Sequence, residues 1–413
     1  MTGHARGKRA FDFILSVTML LAFSPILVIG YVLSGWAFHR TPRLGQRRVI
    51  FEELSFDTTK GLGGGVLRRL HVKRIPVLLN IAKGDMSFVG PLPKSKGDLH
   101  AQETAASERY NVRPGLISLW WIRRRGNIDY EPECAADMEY VKNLSFWGDI
   151  GICLRAIPAI LYGDRISTKL NKVTLLGIKI DNLAMAEAID TILVWLNGEV
   201  PRQICFVNAD CANIAYRDNA YMEVLKTADL CLADGIGLKL AGKLLGQQIA
   251  QNLCGTDMFP RLCDRLSEKN LKLFLLGARP EAVEGVIQWI HLHYAGVQIG
   301  GYQHGYFQPE EEPGIIQRIK DSGAQILLVA FGVPKQEMWI HEHLKDSGVK
   351  VAMGVGALFD FYSGRIPRAP LWMREIGMEW LYRLIQEPGR MWKRYLIGNG
   401  LFLARVLRDR FSK

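Results

Sequence analysis

The sequence predicts an α/β protein in two parts: an N-terminal membrane-anchored α/β module with a proline-broken re-entrant helix, then a Rossmann-like α/β domain carrying a basic helical C-terminal appendage. Three features lead there. An apolar stretch runs from Phe11 to Phe38. Five short apolar runs further on each end in a small or polar turn and precede an amphipathic segment. Arginines and lysines interleave with Trp and Tyr from Arg365 to Tyr395.

A chain of 413 residues exceeds the usual size of one core, so two domains are expected, at 1–165 and 172–413. With 48% apolar and 23% charged residues the composition is that of a globular protein, not a disordered one. The net charge of +11 calls for an anionic partner. Nucleic acid is set aside because no RNA- or DNA-binding motif occurs, and because the basic residues gather beside apolar and aromatic ones near both ends, which suits a membrane surface. The seven cysteines form no CxxC pair and no Cys/His cluster at zinc spacing, so neither a structural metal nor a cofactor is expected.

The stretch from Phe11 to Phe38 is long enough to cross a bilayer. It is too long for the core of a signal peptide and lacks a small-x-small cleavage site. Arg6, Lys8 and Arg9 precede it, and Arg40, Arg43, Arg47 and Arg48 follow, so the positive-inside rule keeps both ends on one side. Pro25 in its middle removes a helix hydrogen bond. A helix that enters, breaks at Pro25 and returns to the same face satisfies all three constraints, which makes the protein monotopic.

Downstream come Lys83 to Pro93 (KGDMSFVGPLP), Tyr110 to Leu116 (YNVRPGL) and the run from Asp137 to Leu161. Together with the broken helix, these segments over residues 8 to 163 resemble the bacterial sugar transferases, the single-anchor phosphoglycosyl transferases that start lipid-linked glycan assembly. The resemblance implies an Asp-Glu pair upstream of the GDMS segment, the aspartate as covalent nucleophile and its neighbour helping to hold magnesium. Here the matching dipeptide is Lys73-Arg74. No acidic residue lies between Asp57 and Asp85, while Lys60, Arg68, Arg69 and Lys83 add to the positive charge. The family's upstream Lys-Phe-Arg segment is eroded to Ser55-Phe56-Asp57. Two cations repel magnesium and do not attack phosphorus, so the module is expected to bind without catalysing. Arg113 and Arg125, with Arg123, Arg124, Trp120 and Trp121, are candidates for holding a diphosphate head group. A basic face resting on acidic lipid explains them equally well.

From Lys172 onward the five runs are QICFVNAD, DLCLADGIGL, KLFLLGARP, QILLVAFGVPKQE and KVAMGVGALFDF, the signature of βα units around a parallel sheet. Ligands in such sheets bind at the C-terminal ends of the strands, where these turns fall. Gly277 begins an ordinary strand-to-helix loop or a substrate loop. Gly332 to Glu337 places a glycine and Lys335 at a helix start, able to offer N–H groups and charge to a phosphate or simply to begin a helix. Asp234 stands at a strand end before Gly235 as a base or a helix cap, and Asp360 competes for the same role.

The order of these segments is similar to that of the WecG/TagA/CpsF glycosyltransferases from about 172 to about 400: Val207-Asn208-Ala209-Asp210, Ala233-Asp234-Gly235, Phe331-Gly332-x-Pro334-Lys335-Gln336-Glu337, Gly354 to Asp360, Arg368-Ala369-Pro370, and Glu379 to Leu384 with Glu387-Pro388 and Arg390. That resemblance implies an inverting, metal-independent transfer from a UDP-sugar to a polyprenyl-diphosphate-linked sugar, with Asp234 as general base, Asn208 lining the pocket and Gln336 touching substrate. It also implies a tail that packs on the membrane and brings arginines into the site. Arg383, Arg390 and the pair Lys393/Arg394 recur at helical intervals and are expected to share a face, binding either the leaving diphosphate or lipid head groups.

The combined expectation is an enzyme of cell-surface or exopolysaccharide synthesis on the cytoplasmic face of a bacterial inner membrane. Its expected partners are a UDP-sugar donor, a polyprenyl-diphosphate-linked sugar acceptor and membrane lipid, and homo-oligomerisation is left open. Two alternatives stand beside it: a bifunctional enzyme whose first module also transfers a phospho-sugar, and a non-enzymatic membrane scaffold for glycan-assembly enzymes. No residue selects the sugar.

Overall fold

The computed structural model describes residues 2–58, 72–95, 107–125, 132–162 and 171–411, in two compact units, residues 1–163 and 164–413. In the first unit, helix Thr2–Ala22 is followed by helix Ser24–Leu33, and the axes from Arg6 onward meet at a 68° bend. The sequence puts the break at Pro25. It lies instead at Phe23, and Pro25 occupies the first turn of the second helix, where a missing N–H has no partner to lose. Among the described residues no single helix is long and apolar enough to cross a membrane.

The base of the first helix is fastened within its unit. Lys8 donates to the Asp149 carboxylate, the Val89 carbonyl and the Tyr140 hydroxyl. Arg9 donates to the carbonyls of Ile81 and Ala82 at 2.7 and 2.6 Å, closing the end of helix Val77–Lys83. Two cations read as a basic membrane flank are therefore committed to internal bonds. Strands β1 (Phe38–Leu44) and β2 (Ile50–Phe56) form an antiparallel hairpin. The GDMS and RPGL segments provide β3 (Ser87–Val89) and β4 (Gly115–Ile117), paired in parallel. A Cβ on Gly115 would lie 2.2 Å from the Gly90 nitrogen, so the glycines of both motifs exist to let two backbones touch.

In the second unit, β5 (Lys172–Leu175) and β6 (Ile178–Asp181) form a hairpin closed by Leu176-Gly177, both at positive φ, as a two-residue hairpin turn requires. The remaining strands are β7 (Arg202–Val207), β8 (Leu230–Ala233), β9 (Lys272–Gly277), β10 (Gln298–Gln303), β11 (Ile326–Ala330) and β12 (Val351–Gly354). They join in one eight-stranded sheet, order β10-β9-β11-β12-β7-β8-β6-β5, parallel throughout except for β5 on β6. All five apolar runs became central strands, because a parallel sheet covered on both faces needs apolar residues at every position. Cys205, Val207, Cys231 and Ala233 belong to one buried cluster and Phe274, Leu276, Leu327 and Val329 to another. Edge strand β10, half-exposed and glycine-rich, and the β5–β6 hairpin add to the five expected strands.

The tail is more than an appendage. Helices Leu371–Glu375, Glu379–Gln386 and Pro388–Trp392 lead through a π-helical turn, Lys393–Gly398, to helix Asn399–Phe411. Phe402 and Val406 of that last helix are fully buried in the cluster that contains β7 and β8 residues. Arg405 donates to the Asn213 side chain at 2.6 Å, and Asn213 to the Gly398 carbonyl at 2.8 Å. The chain end is thus part of the same core as the sheet.

Candidate active site

The C-terminal edge of the parallel strands collects most of the expected residues. Asn208 follows β7, Asp234 follows β8, Gly277 ends β9, Gly332 lies just beyond β11 and Gly356 just beyond β12. Gly235, Gly332 and Gly356 have φ of +94°, +81° and +57°, and at each an added Cβ would meet open space. Three strand ends therefore turn through conformations that favour glycine and leave room beside them for a ligand. Gly277 differs. Its φ is also positive, at +115°, but a Cβ there would lie 2.7 Å from the Ala330 backbone, so close approach of β9 and β11 calls for glycine as well.

Asp234 stands on this edge with its amide held by the Val207 carbonyl at 2.8 Å and the next amide, of Gly235, held by the Asn252 side chain. Asn208 caps helix Ala209–Ala215: its Oδ1 accepts from the Asp210 and Cys211 amides at 3.0 and 3.1 Å. That fixes the amide orientation and leaves its NH2 as the end that bonds Asp234. Asp234 keeps an exposed edge although it is densely surrounded. Burial first, then the Glu379 carboxylate, push its pKa up to about 6, while Asn208 and Arg394 pull it back and Asp257 adds to the rise. A carboxylate tuned close to neutrality beside an open turn is suited to taking a proton. Asp360 lies on the short helix Leu358–Tyr362 with Arg365 3.2 Å from its Oδ1.

The tail supplies the surrounding charges. Arg368 lies 2.7 Å from Asp257 Oδ1 and 3.1 and 3.4 Å from the two Glu379 oxygens, and Arg374 adds a 3.4 Å contact to Asp257. Arg394 meets Asp210 at 3.1 Å. Burial alone would lower the Arg394 pKa, but Asp210 first, then Tyr395, Cys211 and Asp234, more than offset it, so this guanidinium stays charged beside Asp234. Arg383 lies over the Phe361 ring at 5.3 Å, and Arg390, largely exposed, lies 3.3 Å from Glu387. The expected shared helical face does not form. The backbone leaves the helical region at Glu387 (φ −127°, ψ 63°) ahead of Pro388, and the π turn after Trp392 shifts the register again, so Arg383, Arg390 and Arg394 lie on three different segments.

The Gly332 to Glu337 segment also departs from expectation. The Gly332 N–H donates to Gln336 Oε1 at 3.1 Å, and the Gln336 N–H donates to the Gly332 carbonyl at 3.0 Å, so neither is available to a phosphate. Gln336 is buried at 3% exposure, its oxygen shared with the Gly356 N–H at 3.0 Å. Lys335 is exposed, its ammonium 5.2 Å from the centre of the Phe331 ring.

In the first unit, Arg74 lies 2.9 Å from Glu53 Oε1, and Arg43 the same distance from Oε2. The position at which the resemblance implies a carboxylate carries a cation held by Glu53, and Lys73 uses its carbonyl to accept from Phe56 N–H. Arg113 is half-buried and Arg124 lies over the Trp120 ring at 4.8 Å. Arg123 is not available for a head group: it is buried and paired with Glu139 at 2.9 Å. The Arg125 side chain and residues Lys60, Arg68 and Arg69 lie outside the described residues.

Sequence reasoning overlooked Asp257, Asp210 as the partner of Arg394, and Glu337. Asp257 pairs with arginines more than a hundred positions away, and nothing local marks it. Asp210 and Glu337 stand inside quoted motifs, which was the one signal that could have found them.

Residues 173–413 match the model of the glycosyl transferase WecG/TagA/CpsF family, and residues 3–163 match that of the bacterial sugar transferases. The chain is similar to the N-acetylglucosaminyldiphosphoundecaprenol N-acetyl-β-D-mannosaminyltransferase of Bacillus subtilis strain 168, with 33% identity over 202 residues, 49% of this chain and 78% of that protein. It is similar to the enzyme of the same name from Staphylococcus aureus strain MW2, with 31% identity over 225 residues, 54% of this chain and 86% of the relative. With the strand end that carries Asp234, the capping Asn208 and the arginine-rich tail all inside the matched region, the chain belongs to the WecG/TagA/CpsF glycosyl transferase family and carries a bacterial sugar transferase module ahead of it.

Proposed function

We propose that this glycosyltransferase moves a sugar from a UDP-sugar to a sugar carried on polyprenyl diphosphate, with inversion and without a metal, at the cytoplasmic face of a bacterial inner membrane. The observation that carries the reading is Asp234: a carboxylate at a strand end, beside an open glycine turn, with its basicity raised and a fixed cation next to it. The relatives' name specifies an N-acetylglucosaminyldiphosphoundecaprenol acceptor and transfer of an N-acetyl-β-D-mannosaminyl group, and the same kind of lipid-linked acceptor is proposed here.

In the reaction, Asp234 takes the proton of the acceptor hydroxyl as its oxygen attacks the anomeric carbon. The bond from that carbon to the nucleotide diphosphate breaks on the opposite face, and the electron pair leaves with the diphosphate. Arg394, Arg383, Arg390 and Lys335 are the chain's own cations for the developing charge. Asn208 keeps Asp234 oriented and partly ionised.

The first unit is proposed as a lipid-bound module that does not start glycans, since Arg74 and Lys73 supply no nucleophile. Phe13, Ile14, Leu21, Val28, Ile29 and Trp36 of the bent helix pair and its exit are largely exposed, which supports contact with lipid. Because both units share one chain, anchoring one confines the other to the membrane surface.

The test uses full-length protein in lipid nanodiscs with a panel of UDP-sugars and short lipid-diphosphate acceptors. UDP release should occur in EDTA and fall about a hundred- to ten-thousand-fold in Asp234→Asn, the usual range for a lost general base. Release that survives this substitution, or that EDTA abolishes, overturns the mechanism.

A further inference from the structure

Glu337 is fully buried, at 0% exposure, one turn into the helix that follows β11. Its Oε1 accepts from Gln336 Nε2 at 2.7 Å. Gln336 in turn accepts, through Oε1, from the Gly332 and Gly356 amides at 3.1 and 3.0 Å. Its side chain lies so close under β12 that a Cβ on Gly354 would sit 2.6 Å from Nε2. Gln203 on β7 donates to the Glu337 carbonyl at 2.8 Å. One chain of hydrogen bonds thus runs from a buried carboxyl to two of the glycine turns that border the cleft.

The second oxygen of Glu337 faces the buried Tyr221 hydroxyl. The other titratable neighbours are the Cys211 and Cys205 thiols. No cation pairs with Glu337 among the described residues. Such a group is costly to ionise: burial pushes its pKa up to about 7, against the opposing bonds from Gln336, its own backbone and Tyr221. One oxygen of the carboxyl accepts from Gln336 and the other is placed to accept from the Tyr221 hydroxyl.

We propose that Glu337 is a positioning residue for sugar transfer: acting through Gln336, it holds the Gly332 and Gly356 turns in the arrangement that borders the substrate cleft. The role rests on the function proposed above but is carried by the hydrogen-bond chain, and it accounts for a Gln-Glu pair in which neither side chain reaches solvent. The holding is done by hydrogen bonds to the carboxyl oxygens, so an amide of the same shape should serve where an apolar side chain should not.

The experiment compares Glu337→Gln and Glu337→Leu with wild type in the full chain. Amide hydrogen exchange is followed in peptides spanning 331–338 and 354–359, together with kcat and KM for the donor. Glu337→Leu should accelerate exchange in both peptides about tenfold, the scale of one lost buried hydrogen bond. It should also raise the donor KM more than it lowers kcat. Glu337→Gln should recover most of both losses. Exchange unchanged in Glu337→Leu, or Glu337→Gln as impaired as Glu337→Leu, overturns the proposal. The exchange readout needs no turnover, so inactive wild-type protein would refute the proposed transfer while leaving the clamp to be judged on exchange. Should Glu337→Leu fail to fold, Gln336→Leu replaces it and must accelerate the same two peptides.

Discussion

The acid limb of the pH–rate profile should belong to Asp234, and three neighbours should move it in stated directions. Its carboxyl is raised from 3.8 to about 6 by burial and by Glu379, against Asn208 and Arg394. The base works only when ionised. About nine-tenths of it is ionised at pH 7 and about one-tenth at pH 5, so kcat/KM should fall about tenfold between those values. Glu379→Gln removes the like charge, which favours the carboxylate, so the limb should move below 6. Asn208→Ala removes a bond to the charged form and Arg394→Met removes a cation, so each should move it above 6. The assay is UDP release from the full-length enzyme between pH 4.5 and 8, on the acceptor that gives the highest turnover. A limb that stays in place in Glu379→Gln, or that moves down in Arg394→Met, would refute the assignment of Asp234 as the base.

Three further outcomes test the framework around the site. Glu337 has a folded pKa of about 7, above its ordinary 4.5, so its contribution to stability is complete below about 4.5 and is lost as pH rises through 7. Glu337→Gln cannot ionise and should gain on wild type as pH rises, by up to about 3 kcal/mol at pH 8 at about 1.4 kcal/mol per pKa unit; denaturant unfolding at pH 5 and pH 8 would show whether the gain grows. Phe402→Ala should cost about 3–5 kcal/mol because the ring is fully buried where the last helix meets the sheet, and a fall in Tm of only a degree or two would mean that helix is peripheral. Arg74→Glu turns the 2.9 Å pair with Glu53 into a repulsion, and should lower stability by about 1 kcal/mol without creating phosphoglycosyl transfer, as read by urea unfolding and UMP release.

Much of this molecule was legible in the sequence because the signals are local. Strands β7, β8, β9, β11 and β12 are continuous apolar runs, which a parallel sheet covered on both faces demands, and the turns after them fall on the edge where the chain bends out. Asp234 stood out at its turn as a base or a helix cap, while Asn208 and the loss of the acidic pair at Lys73-Arg74 were legible through the family resemblances. An apolar run and the turn residues after it are features of neighbours in the chain, so the sequence displays them by itself.

What the tertiary structure decided depends on residues far apart. That Asp257 grips Arg368, that Arg394 reaches Asp210, and that the last helix joins the sheet's core are contacts across a hundred positions or more, for which no spacing rule exists. The same holds for the three tail arginines: helical periodicity put them on one face, but a backbone break at Glu387 and a π turn after Trp392 separated them. The resemblance implied a substrate contact for Gln336, and Glu337 suited a plain helix start. Only the packing of β11 against β12 shows them turned inward, because two glycine turns at that edge leave amides that a buried side chain must satisfy.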